Sequence, residues 1–571
     1  MRAAPFLLVA FLLLSGCAGS KPPASTPPPL TRDPAQILPL LSPIQFKETL
    51  KEHPAVPSFD GKKMDSWVYR PKTPDGVRVP VIINFSPYWG NLAPAAGERG
   101  DHFSQYLIDY FVPRGFAVVL TSVRGTGQSE GCFNLGGETE KRDALAVIDH
   151  FAKQPWSNGN VAAGGKSYDG TTPQGAATLA PRALKAIIPV SPISELYKYN
   201  YKSGLSYNLQ GASFNARYVA LVGWGEDPTS PGVPFGGSLM PDDACADFPV
   251  IAGEGLASAA TGDYTPYWQE RDYAAKATAA TPALFYIHGL QDWNVKPDNI
   301  LPWLERYAGP KKAWLHQWSD PSNGGHVYPF REDWNYTMLR FLDHTLKGLD
   351  TGLFDEPSIQ VEDTLGRWRH EDAWPPATAV PQQLYLSSQG NQGQLGNPGD
   401  GTARSFLDNG ESAGDAQTDN QLRYESAPLA ADWHLAGVPK LHLPITSDRP
   451  TGKVGVSLYD VDATGKAKLI DWGGLNLRHR DDVRTPKDVA AGTQYDVVVE
   501  MFPQDTVIRA DHRLVLVLAG NAGSDEFDPV PTNARMTIAE NAKTILELPI
   551  EPEPAMRFES PPPVETRCWA C

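Results

Sequence analysis

Between about Val77 and Gly348 the chain alternates short, nearly continuous apolar runs with stretches of helical periodicity. The runs Val79–Phe85, Phe116–Val123, Val161–Lys166, Ala183–Val190, Ala283–His288 and Ala313–Trp318 lack the in-out alternation of a strand with one wet face. Runs of this kind predict parallel strands covered on both sides. Between them, Leu145, Ile148 and Phe151 fall at helical spacing within Glu138–Ala152, and Asp298–Tyr307 and Asp333–Leu346 also read as helices. The pattern predicts an α/β unit over residues 41–355, a mostly parallel sheet with helices on both faces.

The alternation breaks between about 191 and 280, where the chain is aromatic, rich in Gly and Pro, and without a clean strand. An insertion between two core strands is expected to form a largely helical cap over a pocket. After about Glu356 the pattern changes again. Gln383–Leu386, Lys440–Ile445, Val454–Leu458, Tyr495–Met501 and Arg513–Leu518 are short strands separated by turn clusters, which predicts an all-β sandwich of jelly-roll type over 356–571. The Gly/Asn/Asp-rich Ser388–Asn420 reads as a long surface loop, and the Pro-rich Glu551–Glu565 as extended.

The N-terminal segment carries its own signals. Arg2 precedes the apolar stretch Pro5–Leu14, which is too short for the ~20 residues of a spanning helix and reads as a signal peptide. Leu14-Ser15-Gly16-Cys17 resembles a bacterial lipobox, whose Cys becomes the lipidated first residue of the mature protein. A Pro/Ser/Thr-rich tether follows, within residues 18–40. A lipid-anchored, exported protein of the cell envelope is therefore expected, on the outer membrane or its periplasmic face in a Gram-negative host. In such a protein Cys132, Cys245, Cys568 and Cys571 are expected to pair, Cys132 with Cys245 and Cys568 with Cys571 being one of three connectivities.

Composition removes some classes of function. The 571 residues carry a net charge of −16 and no long basic run, which argues against nucleic acid as a partner. No spacing of His, Cys, Asp or Glu suggests metal ligands, so no metal or other cofactor is expected. Asp460-Val-Asp462-Ala-Thr-Gly465 lacks the closing acidic ligand of a calcium loop and reads as a hairpin turn.

The chemistry centres on Gly165-Lys166-Ser167-Tyr168-Asp169-Gly170, which follows an apolar strand and precedes the small-residue run Thr171–Ala180. A strand–turn–helix of this kind exposes a nucleophilic Ser on a strained turn that needs small neighbours. Asp169 stands where the common pentapeptide has its second Gly, which arrives one residue later; an idle Ser on a tight turn is the alternative. A phosphate loop is excluded by Asn160 in the place of its first Gly. A Ser hydroxyl needs a base, and the base a carboxylate, in the chain order Ser, acid, His. Asp292 follows the strand Ala283–His288, and His326 lies on Asn323-Gly324-Gly325-His326 beyond the next strand. His288 precedes the acid, His316 lies within a strand and His344 within a helix, so Ser167, Asp292 and His326 form the candidate triad. The backbone N–H of Tyr168 is one expected oxyanion donor. Tyr88, at a strand end in Ser86-Pro87-Tyr88-Trp89, is either a second donor or a packing residue.

These segments resemble the X-prolyl dipeptidyl-peptidase and cocaine-esterase family of serine hydrolases. The resemblance is carried by Ser86-Pro87-Tyr88, Arg124–Gly131, Gly165–Gly170, Trp268–Tyr273, His288–Val295 and Gly325–Tyr328. It implies the triad Ser167, Asp292 and His326, makes Tyr88 an oxyanion donor, and implies the α/β-hydrolase core, helical cap and C-terminal jelly roll. Arg124–Gly131 is read as a structural turn beside the pocket, with Arg124 ion-paired. Within the family the peptidase branch is the better match, which implies release of X-Pro dipeptides from peptide N-termini. A proline pocket is expected from Tyr168, Trp293, Tyr197 and Tyr199, and Glu195 is a candidate anchor for the substrate amine. The alternatives are an ester hydrolase or acylase, and an envelope protein that binds carbohydrate or polymer through its sandwich.

Overall fold

The computed structural model describes residues 33–88, 102–208, 253–254, 256–317, 331–390, 392–412, 419–523 and 526–559. The predicted runs form one sheet. Its order is Thr49–Glu52, Lys63–Pro71, Ala117–Ser122, Val79–Ser86, Ser157–Lys166, Leu184–Val190, Ala283–Gly289, Lys311–His316, Ile359–Glu362, Trp368–Glu371 and Phe558–Glu559. The pairs from Ala117–Ser122 through Ile359–Glu362 are parallel, and those at both ends of the sheet are antiparallel.

The strands read as unbroken apolar runs because successive side chains enter two different cores. Val81, Ile83 and Phe85 face one core with Ala163 and Ile187, while Ile82 faces the other with Ala162 and Ile188. Helix Glu138–Ala152 closes the first core through Val147, Ile148 and Phe151. Helices His102–Phe111 and Trp334–Lys347 close the second through Leu107, Phe111, Phe341 and Leu342. Three layers result, an α/β-hydrolase core.

The sheet does not stop where the sequence pattern changes near 356. Ile359–Glu362 adds in parallel to Lys311–His316, Trp368–Glu371 adds beyond it, and the late strand Phe558–Glu559 returns to the same edge. Short period-2 strands look alike whichever sheet they join. Two further expectations need correction. Ser388–Asn420 is not one loop but holds the strands Gln392–Gly396 and Ala403–Leu407, whose inward residues are reduced to Leu395 and Phe406, too sparse to register as alternation. Asp298–Tyr307 divides into a 3-10 turn, Pro297–Asn299, and the helix Ile300–Arg306. The second sheet, from Val380 to Ile550, encloses its own core of Leu, Ile and Val side chains and is the expected all-β domain.

The described flanks of the 191–280 insertion contain the helices Leu196–Asn200 and Pro266–Glu270, a 3-10 stretch Ala274–Ala279 and a two-residue hairpin. Cys132 is disulfide-bonded; Cys17, Cys245, Cys568 and Cys571 lie outside the described residues. Arg124 is ion-paired as expected, its guanidinium gripping Asp143 through two bonds of 2.7 Å and Asp60 at 2.9 Å. Among the described residues no helix is long and apolar enough to cross a membrane, and no cluster of His, Cys, Asp and Glu could hold a metal ion.

Candidate active site

Ser167 stands between the strand Ser157–Lys166 and the helix Tyr168–Ala177 with φ 63° and ψ −124°. A non-Gly residue rarely adopts this conformation, and surrounding structure must enforce it. The Ser167 N–H donates to Val190 O at 2.9 Å, while its carbonyl accepts from the N–H groups of Gly170 and Thr171, both at 3.0 Å. The two glycines are fixed by contact. A Cβ on Gly165 would lie 2.4 Å from the Asp169 Cβ, and one on Gly170 would lie 2.7 Å from Val190 O. On the helix side the contact that excludes a side chain falls at Gly170, against Val190, one position after Asp169. That accounts for a second glycine displaced by one position. As the first helical residue, Tyr168 has no carbonyl of its own helix to bond, so its N–H belongs to the positive end of the helix.

Asp292 is fully buried on the loop after the strand Ala283–Gly289. Its Oδ1 accepts the N–H of Asn294 at 3.0 Å and of Val295 at 2.9 Å, which folds the loop tightly around Trp293. Ser167 and Asp292 thus follow the C-terminal ends of parallel strands, the edge where sites of such sheets form. His326 lies outside the described residues. The competing histidines have other tasks. His288 is enclosed between Tyr286 Oη at 3.0 Å and Val295 O at 2.8 Å; a carbonyl only accepts, so its Nε2 carries the proton. His316 is buried against Trp368, and desolvation pushes it down to about 3.

Ser167 opens onto a cavity walled by Tyr88, Tyr168, Leu196, Tyr199, Ile193 and Tyr273. The insertion supplies four of these six, so its described flanks do line the pocket. Arg271, Leu135, Gly136 and Thr171 complete the lining. Arg271 clamps the 134–136 loop by donating to Leu135 O at 3.1 Å and Asn134 O at 2.8 Å, and it pairs with Glu270 at 3.1 Å. Of the aromatic residues expected at the pocket, Tyr168 and Tyr199 line the Ser167 cavity. Tyr197 does not, because it lies on the opposite side of helix Leu196–Asn200. It packs on Tyr201 and Trp268 and lines a separate cleft. Glu195 faces that same cleft, held loosely by Arg484 at 3.6 Å and Lys198 at 3.8 Å, and does not reach the Ser167 cavity. Trp293 turns away into the β-sandwich.

One residue of the site was not expected. Glu140 sits in the first turn of helix Glu138–Ala152, where an acid normally faces water, yet it is buried behind the cavity wall. It accepts a 2.5 Å hydrogen bond from the Tyr168 hydroxyl. Burial pushes its carboxyl up to about 7, although the Tyr168 bond pulls the other way. Between the ordinary 4.5 and about 7 the folded chain therefore holds a proton that the unfolded chain has released, and stability falls as pH rises through that window. Glu140→Gln keeps an acceptor for Tyr168 and removes the titration. Its stability relative to the parent is expected to rise from about pH 5 to about pH 8, by at most about 3 kcal/mol. Chemical denaturation at several pH values measures this; parallel stability–pH curves for the two proteins would refute it.

A strained Ser at a strand–helix elbow, a buried Asp on a later strand and a cavity beside the Ser define a serine hydrolase of the α/β-hydrolase class. Residues 60–320 match the X-Pro dipeptidyl-peptidase (S15) family, and residues 351–550 match the X-Pro dipeptidyl-peptidase C-terminal non-catalytic domain. A putative Xaa-Pro dipeptidyl-peptidase of Bacillus cereus is 30% identical over 506 residues, covering 80% of this chain and 83% of its own. The Xaa-Pro dipeptidyl-peptidase of Lacticaseibacillus paracasei is 26% identical, covering 83% and 73%. Among solved structures, a CocE/NonD family hydrolase from Staphylococcus aureus superposes with a TM-score of 0.71 at 17% identity, over 89% of this chain and 94% of that one. An α-amino acid ester hydrolase superposes with a TM-score of 0.68 at 17% identity, over 94% and 100%. The chain belongs to the X-Pro dipeptidyl-peptidase (S15) family.

Proposed function

We propose that this enzyme releases X-Pro dipeptides from peptide N-termini through an acyl-enzyme on Ser167. The observation that carries the reading is the cavity beside Ser167, walled by four tyrosines with Leu135, Ile193 and Leu196. A flat proline ring buries well against such an apolar, aromatic wall. The putative dipeptidyl-peptidase of Bacillus cereus, matched over 83% of its length, supports the same substrate class.

In this mechanism His326 takes the Ser167 proton as Oγ attacks the prolyl carbonyl carbon. Asp292 holds the imidazole and stabilises its positive charge. The oxyanion receives the N–H of Tyr168 and the hydroxyl of Tyr88, which lines the same cavity as Ser167. His326 then gives its proton to the leaving amine, and water, deprotonated in turn by His326, releases the dipeptide. Ala-Pro-p-nitroanilide should turn over readily, and Tyr88→Phe should lower its kcat by roughly 10²- to 10³-fold. Turnover of simple aryl esters without cleavage of Ala-Pro amides would replace this reading with an esterase or acylase.

We further infer that the enzyme is held at the cell envelope by lipid on Cys17. The support is the apolar Pro5–Leu14, the Leu-Ser-Gly-Cys sequence and the tether that follows. Cys17→Ala is expected to move the protein from the membrane pellet to the soluble fraction; unchanged pelleting after signal processing would overturn the anchor.

A further inference from the structure

We infer that the β-sandwich is a working part of the active site: an aromatic socket on it holds Trp293 and thereby positions Asp292. The inference rests on Asp292 being the acid of the triad. Trp293 sits inside the turn that Asp292 makes by accepting the N–H groups of Asn294 and Val295. A shift of the Trp293 side chain therefore moves the carboxylate with it.

The Trp293 ring lies against two sandwich residues, Trp472 and Phe502, each with its ring centroid 5.8 Å away. The socket residues also pack on one another. Trp472 meets Phe502 edge-on at 4.7 Å and Phe527 at 5.5 Å. Behind it the buried Asp471 accepts the backbone N–H of Trp472 at 2.8 Å and of Phe502 at 3.2 Å, which fixes both aromatic residues from below. Burial pushes the Asp471 carboxyl well up from its ordinary value, and its Oδ1 ties the Trp472 and Phe502 backbones to one point.

A second tie reaches the other end of the loop. Tyr207, from the insertion, stacks on Phe527 at 5.7 Å and meets Trp472 edge-on at 5.9 Å. The Lys296 ammonium lies 4.0 Å over the Tyr207 ring and donates to Trp293 O at 3.1 Å. Residues 293 and 296 thus bear on one cluster that the catalytic sheet does not own. Triad geometry tolerates little error: a misplacement of about 1 Å can cost roughly 10²-fold in rate.

Ordinary interdomain packing would affect stability and leave kcat alone, and the test separates the two. Trp472→Ala is measured beside Trp472→Phe and Leu548→Ala, the last a buried sandwich-core change outside the socket. All are assayed well below their melting temperatures, with folding checked by circular dichroism. Trp472→Ala is expected to lose about 10- to 100-fold in kcat with KM nearly unchanged, and Trp472→Phe to recover most of it. In Trp472→Ala the acidic limb of the kcat profile should move to lower pH, because a displaced carboxylate stabilises the imidazolium less. Leu548→Ala should keep the parental kcat. If Trp472→Ala fails to fold, Trp293→Leu reads the same signature from the loop side. Parental kcat in the folded socket variants, or an equal loss in Leu548→Ala, overturns the proposal while an inactive Asp292→Asn leaves the triad standing. Full activity in Asp292→Asn would remove the triad reading and the socket's role together.

Discussion

Replacing Ser167 by alanine is expected to lower kcat on Ala-Pro-p-nitroanilide by roughly 10⁴- to 10⁶-fold, leaving the fold and substrate binding in place. The acyl-enzyme route has no substitute nucleophile at that point, so only the residual effect of binding and oxyanion donors survives. Alanine is smaller than serine and retains the same backbone contacts: the N–H to Val190 O and the carbonyl accepting from Gly170 and Thr171 do not involve Oγ. The strained φ of 63° is imposed by those contacts, and alanine meets the same strain as serine there. Melting temperature should therefore change little. Labelling by a fluorophosphonate should disappear in the variant and be strong in the parent. Persistent labelling of Ser167→Ala, or activity within about tenfold of the parent, would place the nucleophile elsewhere.

The second large effect is expected from Asp292→Asn, which should lower kcat at neutral pH by roughly 10⁴-fold. This substitution isolates charge from geometry. The Asn Oδ1 can still accept the N–H groups of Asn294 and Val295, so the turn around Trp293 is kept. What is lost is the negative charge, in a site where Asp292 is wholly excluded from solvent. The amide can also present N–H to the imidazole, which favours the wrong tautomer. Steady-state kinetics on the folded variant test this; a loss of less than about tenfold would show that another group serves as the acid.

Much of this architecture was legible in one dimension. Helix Glu138–Ala152 falls where its apolar spacing puts it, and the catalytic strands fall within a few residues of the apolar runs. Both signals are local, since a strand covered on two faces must be apolar throughout. The placing of Ser167 and Asp292 at the ends of two strands, with Leu184–Val190 between them, follows from the same alternation. Glu140 was invisible for the complementary reason. An acid in the first turn of a helix satisfies the rule for a solvated N-terminus, and only the packing of helix Tyr168–Ala177 beside it reveals that it is buried.

One dimension was enough for the α/β sheet, the strand–turn–helix at Ser167 and the change to an all-β domain. These follow from composition and period, which each segment carries regardless of its neighbours. The tertiary structure alone decided which aromatic residues belong to the pocket. On the five-residue helix Leu196–Asn200, Leu196 and Tyr199 face the Ser167 cavity, while Glu195 and Tyr197 face the cleft against the sandwich. Trp293 is adjacent to Asp292 in sequence but is claimed by Trp472 and Phe502, about 180 to 210 positions later. A helix that short carries a tyrosine on both sides, so its period cannot say which side meets the substrate. That is fixed by which surfaces the distant sheet and sandwich leave to be buried.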